Sequence, residues 1–195
     1  MGVKGGNYER QFAKQLSEWW TAEEKDPKDG IFWRTSNSGG RATVRGRVGK
    51  ETKDQHGDIT AIDPIGSPLL RFTCIECKRG YAGFSINDLI DKPEKAKESK
   101  YAEWIDKAKS CRRLSKSLFW MLVVRRDRRL PIVLIPQDMK DELLHFGSLL
   151  IRSHPHIEIQ VTIKDKIEYI YCTTLEEFFR RVDKSTILRV VNNRE

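Results

Sequence analysis

Apolar residues recur at helical spacing in four segments of the chain. The first segment begins near Asn7, a residue suited to cap a helix N-terminus. The last follows Thr174 and Glu177, whose separation resembles a capping box. The predicted helices cover residues 7–20, 101–114, 137–150 and 175–182.

Shorter apolar or alternating runs predict strands between these helices. Residues 157–163 alternate strictly between apolar and polar side chains, as a half-exposed strand does. Gly66, Ser67 and Pro68 interrupt another pair of runs, which we expect to form a hairpin with a three-residue turn. The predicted strands are 31–34, 58–65, 69–78, 117–124, 132–135, 157–163 and 167–172.

The mixture and order of these elements predict a single α/β or α+β domain. A chain of 195 residues is long enough for one well-buried core, whereas two full domains would be a tight fit. The sequence contains no internal repeat and no low-complexity linker that would mark a domain boundary.

The charge balance favours a polyanionic partner. The chain has 36 Lys and Arg against 28 Asp and Glu, which gives a formal net charge of +8. Phosphates attract such an excess regardless of base sequence, although solubility alone is the alternative explanation. No apolar run approaches the ~18 residues of a membrane-spanning helix, so we expect a cytoplasmic protein without a membrane partner.

Cys74 and Cys77 form a CxxC pattern, which is typical of zinc and redox sites. They fall in a predicted strand, where positions three apart point to opposite faces and cannot hold one metal ion. The chain has four cysteines and no second CxxC pattern. We therefore interpret the cysteines as small buried core residues.

Two carboxylates meet in the predicted hairpin. If residues 66–68 form its turn, Asp58 lies directly opposite Glu76, with Cβ atoms about 4.5–5.5 Å apart, and Lys78 shares their face. Opposed like charges are destabilising unless a cation compensates them, and Mg²⁺ prefers such oxygen ligands. A nearby ammonium can hold a water and offset charge on a phosphate. The alternative is a solvated cluster of charges on an edge strand.

These residues resemble a known signature. Gly57-Asp58 followed by Ile75-Glu76-Cys77-Lys78 resembles the PD-(D/E)xK motif of nucleases. Residues 4–10 resemble the opening helix of archaeal-type Holliday junction resolvases and related phage endonucleases, and residues 34–39 resemble their serine-bearing loop. The resemblance covers about residues 4–136. It departs from the pattern where Gly57 replaces the motif's proline, and in the longer loop between Ser38 and Asp58.

The resemblance implies an α/β fold of the restriction-endonuclease type, a mixed β-sheet core flanked by helices. It implies Mg²⁺-dependent phosphodiester hydrolysis, with Mn²⁺ as a substitute, in a homodimer of prokaryotic or phage origin. The nuclease core would cover about residues 4–136, and residues 137–195 would add a helix and β-hairpin extension to the same domain. Metal ligands would be Asp58, Glu76, the backbone carbonyl of Cys77, and Glu9. The catalytic set would be Glu9, Ser38, Asp58, Glu76 and Lys78.

A glycine-rich, basic segment from residue 39 to residue 53 carries five cations against a single acid, Glu51. We interpret it as an arm that orders along the DNA backbone, with a solvated loop as the alternative. Related phage nucleases carry a polar residue on the helix that holds Lys107, although a surface lysine is the simpler interpretation there. The predicted DNA contacts are Arg34, Arg41, Arg45, Arg47, Lys50, Lys53 and Lys107.

Together these features predict a metal-dependent DNA endonuclease, with a four-way junction as its first choice of substrate. One alternative is a duplex endonuclease of the restriction or phage-defence type. Another is a DNA-binding module that keeps the fold without cleaving. The complete set of Asp58, Glu76 and Lys78 argues against that module, because a non-cleaving protein has no chemical reason to keep opposed carboxylates.

Overall fold

The computed structural model of the protein describes residues 3–35, 56–90, 99–150 and 153–194. These residues contain six α-helices and two short 3-10 helices, the latter at Pro64–Gly66 and Ile86–Leu89. The helices are α1 (Val3–Trp20), α2 (Ser67–Phe72), α3 (Lys100–Ser115), α4 (Gln137–His145), α5 (Leu175–Arg181) and α6 (Lys184–Asn193).

The seven strands of the described residues form two sheets. They are β1 (Phe32–Arg34), β2 (Ile59–Ala61), β3 (Thr73–Arg79), β4 (Phe119–Arg125), β5 (Ile132–Pro136), β6 (His156–Ile163) and β7 (Lys166–Thr174). Strands β1 and β2 pair antiparallel, and the larger sheet has the order β3-β4-β5-β7-β6. Within that sheet β3 and β4 are parallel and the other neighbours are antiparallel. This is the mixed sheet flanked by helices that the resemblance implies.

Helix α3 lies in the connection between the parallel strands β3 and β4 and packs on both of them. Alternate side chains of β4 point to opposite faces of the sheet. Met121 and Val123 pack in a core shared with α1 and α6, whereas Trp120 and Leu122 pack in a second core with α3. Burial on both faces explains why these strands are almost continuously apolar.

The predicted hairpin of residues 58–65 and 69–78 is wrong. The segment between β2 and β3 forms a 3-10 helix and then α2, and each strand pairs with a different neighbour. The Asp63 carboxylate accepts a hydrogen bond from the N–H of Ile65 at 3.0 Å, while Pro64 and Pro68 stand in the first turns of the two helices. These positions favour helix initiation. Asp58 is therefore not the strand partner of Glu76.

The helix boundaries also differ from the predicted ones. Helix α1 begins at Val3, so Asn7 is not its N-cap, and α4 ends at His145 instead of 150. The N-cap at Thr174 is confirmed, because its hydroxyl accepts a hydrogen bond from the N–H of Glu177 at 3.2 Å. Helix α6 was not predicted, although Asp183 caps it through the N–H of Thr186. None of the helices in the described residues is long and apolar enough to cross a membrane.

Candidate functional site

Two hydrogen bonds fasten Asp58 to β3. The backbone N–H of Asp58 donates to the carbonyl of Ile75 at 2.8 Å. The backbone N–H of Cys77 donates to the Asp58 carboxylate, also at 2.8 Å. The predicted proximity of Asp58 to β3 is therefore found, but it comes from the chain running beside the strand and not from a hairpin.

The glycine before Asp58 is required by this close approach. Gly57 has a φ of +81°, and a Cβ atom there would lie 2.7 Å from the carbonyl oxygen of Ile75 and 3.0 Å from the Cys74 sulfur. Proline holds φ near −65° and cannot adopt this conformation. The departure from the motif's proline thus has a steric reason in this chain.

Oxygen atoms surround the ammonium of Lys78. Its Nζ lies 2.9 Å from Glu76 Oε2, 3.2 Å from the carbonyl oxygen of Cys77 and 3.8 Å from Asp58 Oδ2. Alternation along β3 places Glu76 and Lys78 on one face, as the sequence predicts. Three of the four metal ligands that the resemblance implies, Asp58, Glu76 and the Cys77 carbonyl, therefore converge on a single positive group.

Lys107 and Cys111, one turn apart on α3, also bind the Glu76 carboxylate. Lys107 Nζ lies 2.8 Å from Oε2, and the Cys111 thiol donates to Oε1 at 3.0 Å. Burial alone would raise the pKa of Glu76, but the ammonium groups of Lys78 and Lys107 outweigh it and hold the pKa below its ordinary value. Glu76 is thus buried and ionised.

Cys111 is the member of the cluster that sequence reasoning missed. Like the other cysteines it was interpreted as a small buried core residue, whereas its thiol contacts both Glu76 and the thiol of Cys74. The hydrogen bond with Cys74, burial and the Glu76 charge all raise the pKa of Cys111, so it remains a protonated donor. Its spacing of four residues from Lys107 is the signal that a search for polar residues on one helix face would have used.

Of the two carboxylates, Asp58 and Glu76, it is Asp58 whose ionisation is under electrostatic strain. Burial and the neighbouring charge of Glu76 raise its pKa to about 6, against the opposing effect of Lys78, Lys107 and the Cys77 N–H. A divalent cation would relieve this strain, since it favours the ionised form of both carboxyls.

Glu9 and Arg34 lie beside this cluster. Glu9, on α1, is buried, and its Oε2 has no hydrogen-bond partner among the described residues. Burial raises the pKa of Glu9, while the charges of Arg34 and Lys78 lower it. The guanidinium of Arg34 lies 3.9 Å from Glu9 Oε2 and so close to Gly6 that a Cβ there would be 2.5 Å from Nη1. Arg34, predicted to contact DNA, thus reaches the carboxylate cluster.

Several predicted residues fall outside the described ranges, so the structure does not place them. They are Ser38, Arg41, Arg45, Arg47, Lys50 and Lys53.

The donor set fits a hard divalent cation. The described residues contain no cluster of three or more His, Cys, Asp or Glu side chains arranged to hold a metal ion. Mg²⁺ commonly binds through one or two carboxylates and completes its shell with water and substrate phosphate. Asp58, Glu76 and the Cys77 carbonyl oxygen, which all lie within 3.8 Å of Lys78 Nζ, provide that smaller set.

Comparison with known protein families identifies the family of the chain. The chain matches the family described as "Phage putative PDDEXK endonuclease" over residues 2–189. It therefore belongs to that family of PD-(D/E)xK nucleases, and the predicted resemblance to this superfamily and to phage endonucleases is confirmed. Searches of curated proteins and of solved structures returned no match.

Restoring the motif's proline should destabilise the protein. Gly57→Pro forces the backbone out of its left-handed conformation and into the Ile75 carbonyl, which should cost more than about 1 kcal/mol of the free energy of unfolding. Urea unfolding measures this loss. Gly83→Ala is the control, because a Cβ at Gly83 meets no atom within 4 Å. Equal stability of Gly57→Pro and the wild type would contradict the steric explanation.

Asp58→Asn should stabilise the metal-free protein at neutral pH. The pKa of Asp58 is about 6 against an ordinary 3.8, so its ionisation costs folded-state stability as the pH rises from about 4 to about 6. Above that range the cost is complete and, at about 1.4 kcal/mol for each pKa unit, reaches about 3 kcal/mol. Urea unfolding in EDTA should show the gain at about pH 7.5 and its disappearance near pH 4.

Asp63→Asn is the control for this measurement, because its side chain caps a helix outside the cluster and asparagine caps equally well. A free energy of unfolding at neutral pH that is unchanged or lower in Asp58→Asn would contradict the assigned strain.

Proposed function

We propose that the protein is a metal-dependent DNA endonuclease that hydrolyses phosphodiester bonds at the candidate site. The observation that carries this proposal is the convergence of Asp58 Oδ2, Glu76 Oε2 and the Cys77 carbonyl oxygen on one cationic group. Membership of an endonuclease family supports the reaction class. The net charge of +8 supports a polyanionic substrate.

Asp58, Glu76 and the Cys77 carbonyl would hold Mg²⁺, or Mn²⁺ in its place. When bound, the ion supplies Lewis-acid polarisation of the phosphate and a water of lowered pKa. Lys107 stays paired with Glu76 when the Lys78 ammonium moves away from it, so the carboxylate keeps a counter-charge throughout.

Lys78 and Glu9 act on the reacting groups themselves. The ammonium of Lys78 can turn towards the phosphate and offset the negative charge that develops there. The Oε2 of Glu9 is buried and accepts no hydrogen bond from the described residues, although it lies 3.9 Å from the Arg34 guanidinium. It is therefore suited to orient the attacking water by taking a hydrogen bond from it, or to bind a second ion. Ser38 stays in the proposed set on the basis of the family resemblance.

The DNA backbone would be held by basic groups around the carboxylates. Lys107 and Arg34 are partly exposed at the edge of the cluster. The basic segment of residues 39–53 would add phosphate contacts through Arg41, Arg45, Arg47, Lys50 and Lys53.

We further propose that a homodimer cuts four-way junctions, within one nuclease domain per chain. A two-fold dimer presents one active site to each of the symmetry-related strands of a junction. The resemblance of residues 4–10 and 34–39 to junction resolvases supports this choice. A duplex endonuclease of the phage-defence type is the second candidate, favoured by the family's description. One hydrophobic core contains residues from Tyr8 to Val191, which supports a single domain that includes the C-terminal extension.

Cleavage assays on matched substrates test the proposal. With Mg²⁺ the wild type should cleave a labelled four-way junction. Asp58→Ala or Glu76→Ala should abolish cleavage while DNA affinity stays within several-fold, because metal ligands serve the transition state more than docking. Lys78→Ala should lose on the order of 10²–10³ in rate. Near-normal cleavage by either carboxylate variant would show that the site is misassigned.

Binding measured in Ca²⁺ separates the two substrates. A junction should bind at least about tenfold tighter than duplex of equal length, or about 1.4 kcal/mol. Light scattering should give the mass of a dimer. Equal affinities or a monomer would favour the duplex endonuclease and leave the catalytic assignment intact.

A further inference from the structure

The chain makes an unusual turn directly after β3. Gly80 and Tyr81 both have left-handed backbone conformations, with φ of +89° and +60°. Glycine adopts this conformation freely, but a bulky aromatic residue does so only when the surrounding structure holds it there. We call residues 80–85 the aromatic loop, because it presents Tyr81 and Phe84.

The aromatic loop is fixed at both ends. Gly80 N–H donates to the carbonyl of Arg125 at 3.0 Å, and the Arg126 guanidinium donates to the carbonyl of Ala82 at 3.0 Å. At its far end Ser85 and Asp88 form a complete capping box on the 3-10 helix. These contacts hold the backbone of the loop in place at both ends.

The two rings pack beside a buried tryptophan but remain partly exposed to solvent. The Tyr81 ring stands edge-on to Trp104 with centroids 4.9 Å apart, and the Phe84 ring lies 6.3 Å from Tyr81. Trp104 is 4% exposed, whereas Tyr81 and Phe84 are 46% and 37% exposed. The loop thus presents two aromatic rings at the surface, and the ring of Tyr81 is carried by a left-handed backbone.

The position of the loop links it to the candidate site from two directions. Tyr81 follows Lys78 by three residues, which span at most about 10 Å. Trp104, on which the Tyr81 ring packs, precedes Lys107 by three residues on α3. Three residues correspond to about 4.5 Å along the helix axis. Arg126, directly after β4, places positive charge beside the loop, because its guanidinium donates to the carbonyl of Ala82.

We propose that Tyr81 and Phe84 form a stacking site for an unstacked nucleobase of the substrate, near the scissile phosphate. The proximity follows from the Cα atoms of Lys78 and Tyr81, which are at most about 10 Å apart. Aromatic side chains stack on any base, and flanking cations hold the adjoining phosphates. The inference rests on the proposed function, since it assigns a substrate preference to the same site.

Such a site favours DNA in which at least one base is not stacked between two neighbouring bases. Each base of a continuous duplex is covered on both faces by its neighbours, so it offers nothing to Tyr81 unless it is unstacked at a cost of a few kcal/mol. Branch points, bulges and single-stranded ends already present an uncovered base. The aromatic loop therefore gives a physical basis for preferring DNA with an interrupted stack.

Fluorescence of 2-aminopurine tests the contact without cleavage. The probe is placed at successive unpaired positions of a bulged duplex and titrated with protein in Ca²⁺. Wild type and Tyr81→Phe should quench the probe at one or two positions near the cut. Tyr81→Leu, which has the same backbone strain without the ring, should lose this quenching. It should also bind the bulge at least about fivefold more weakly, with no change for continuous duplex.

Tyr169→Leu is the matched control, because Tyr169 is 55% exposed on β7 and contributes no ring to the loop. Thermal unfolding confirms that each variant is folded. Unaltered quenching in Tyr81→Leu, or an equal loss of affinity for bulge and duplex, would overturn the inference. Quenching that depends on Tyr81 in a protein that cleaves no DNA would reject the proposed function and retain the stacking site.

Discussion

The attachment of Asp58 to β3 is the constraint on which the site depends. Its backbone N–H donates a hydrogen bond to the carbonyl of Ile75. Its carboxylate accepts a hydrogen bond from the backbone N–H of Cys77, two residues further along the strand. Both bonds require the backbone of Gly57 to approach the strand more closely than any side chain allows. Without this contact the short strand β2, which pairs with β1 and not with β3, has no reason to bring a carboxylate to Glu76.

This attachment brings charged side chains together among buried residues. Three buried carboxylates, those of Glu9, Asp58 and Glu76, meet the cations Lys78, Lys107 and Arg34. The cations do not fully offset the cost of burial at Asp58 and Glu9, because the pKa of each carboxyl is raised and Glu9 Oε2 accepts no hydrogen bond among the described residues. The protein thus stores unfavourable electrostatic energy at the position where a divalent cation and a phosphate would relieve it.

The sequence predicted which residues share the site better than it predicted the backbone arrangement that brings them together. Alternation along β3 is a local property, so the shared face of Glu76 and Lys78 was predictable. The position of Asp58 depends on a helix between two strands, and the proline and glycine signals at residues 64–68 fit a turn as well as a helix start. The proximity was therefore predicted from a wrong pairing.

Sequence reasoning missed the part of Cys111 in the site, because that part depends on tertiary contact. Cys111 lies four residues from the predicted site residue Lys107 on α3, and only the packing of that helix on β3 brings both side chains to Glu76. Helix α6 has a capping aspartate and buried residues at helical spacing, so local signals were available for it. The strained conformation of Tyr81 has no such signal, because tyrosine rarely adopts it.

The central claim is that the oxygens around the Lys78 ammonium form a divalent cation site. Electron paramagnetic resonance of Mn²⁺ tests it directly, because bound and free ions give different signals. Lys78→Met removes the competing positive charge, so this variant should bind Mn²⁺ more tightly than the wild type does. Glu76→Gln should bind it at least about tenfold more weakly. Equal affinity for Mn²⁺ in all three proteins would contradict the account.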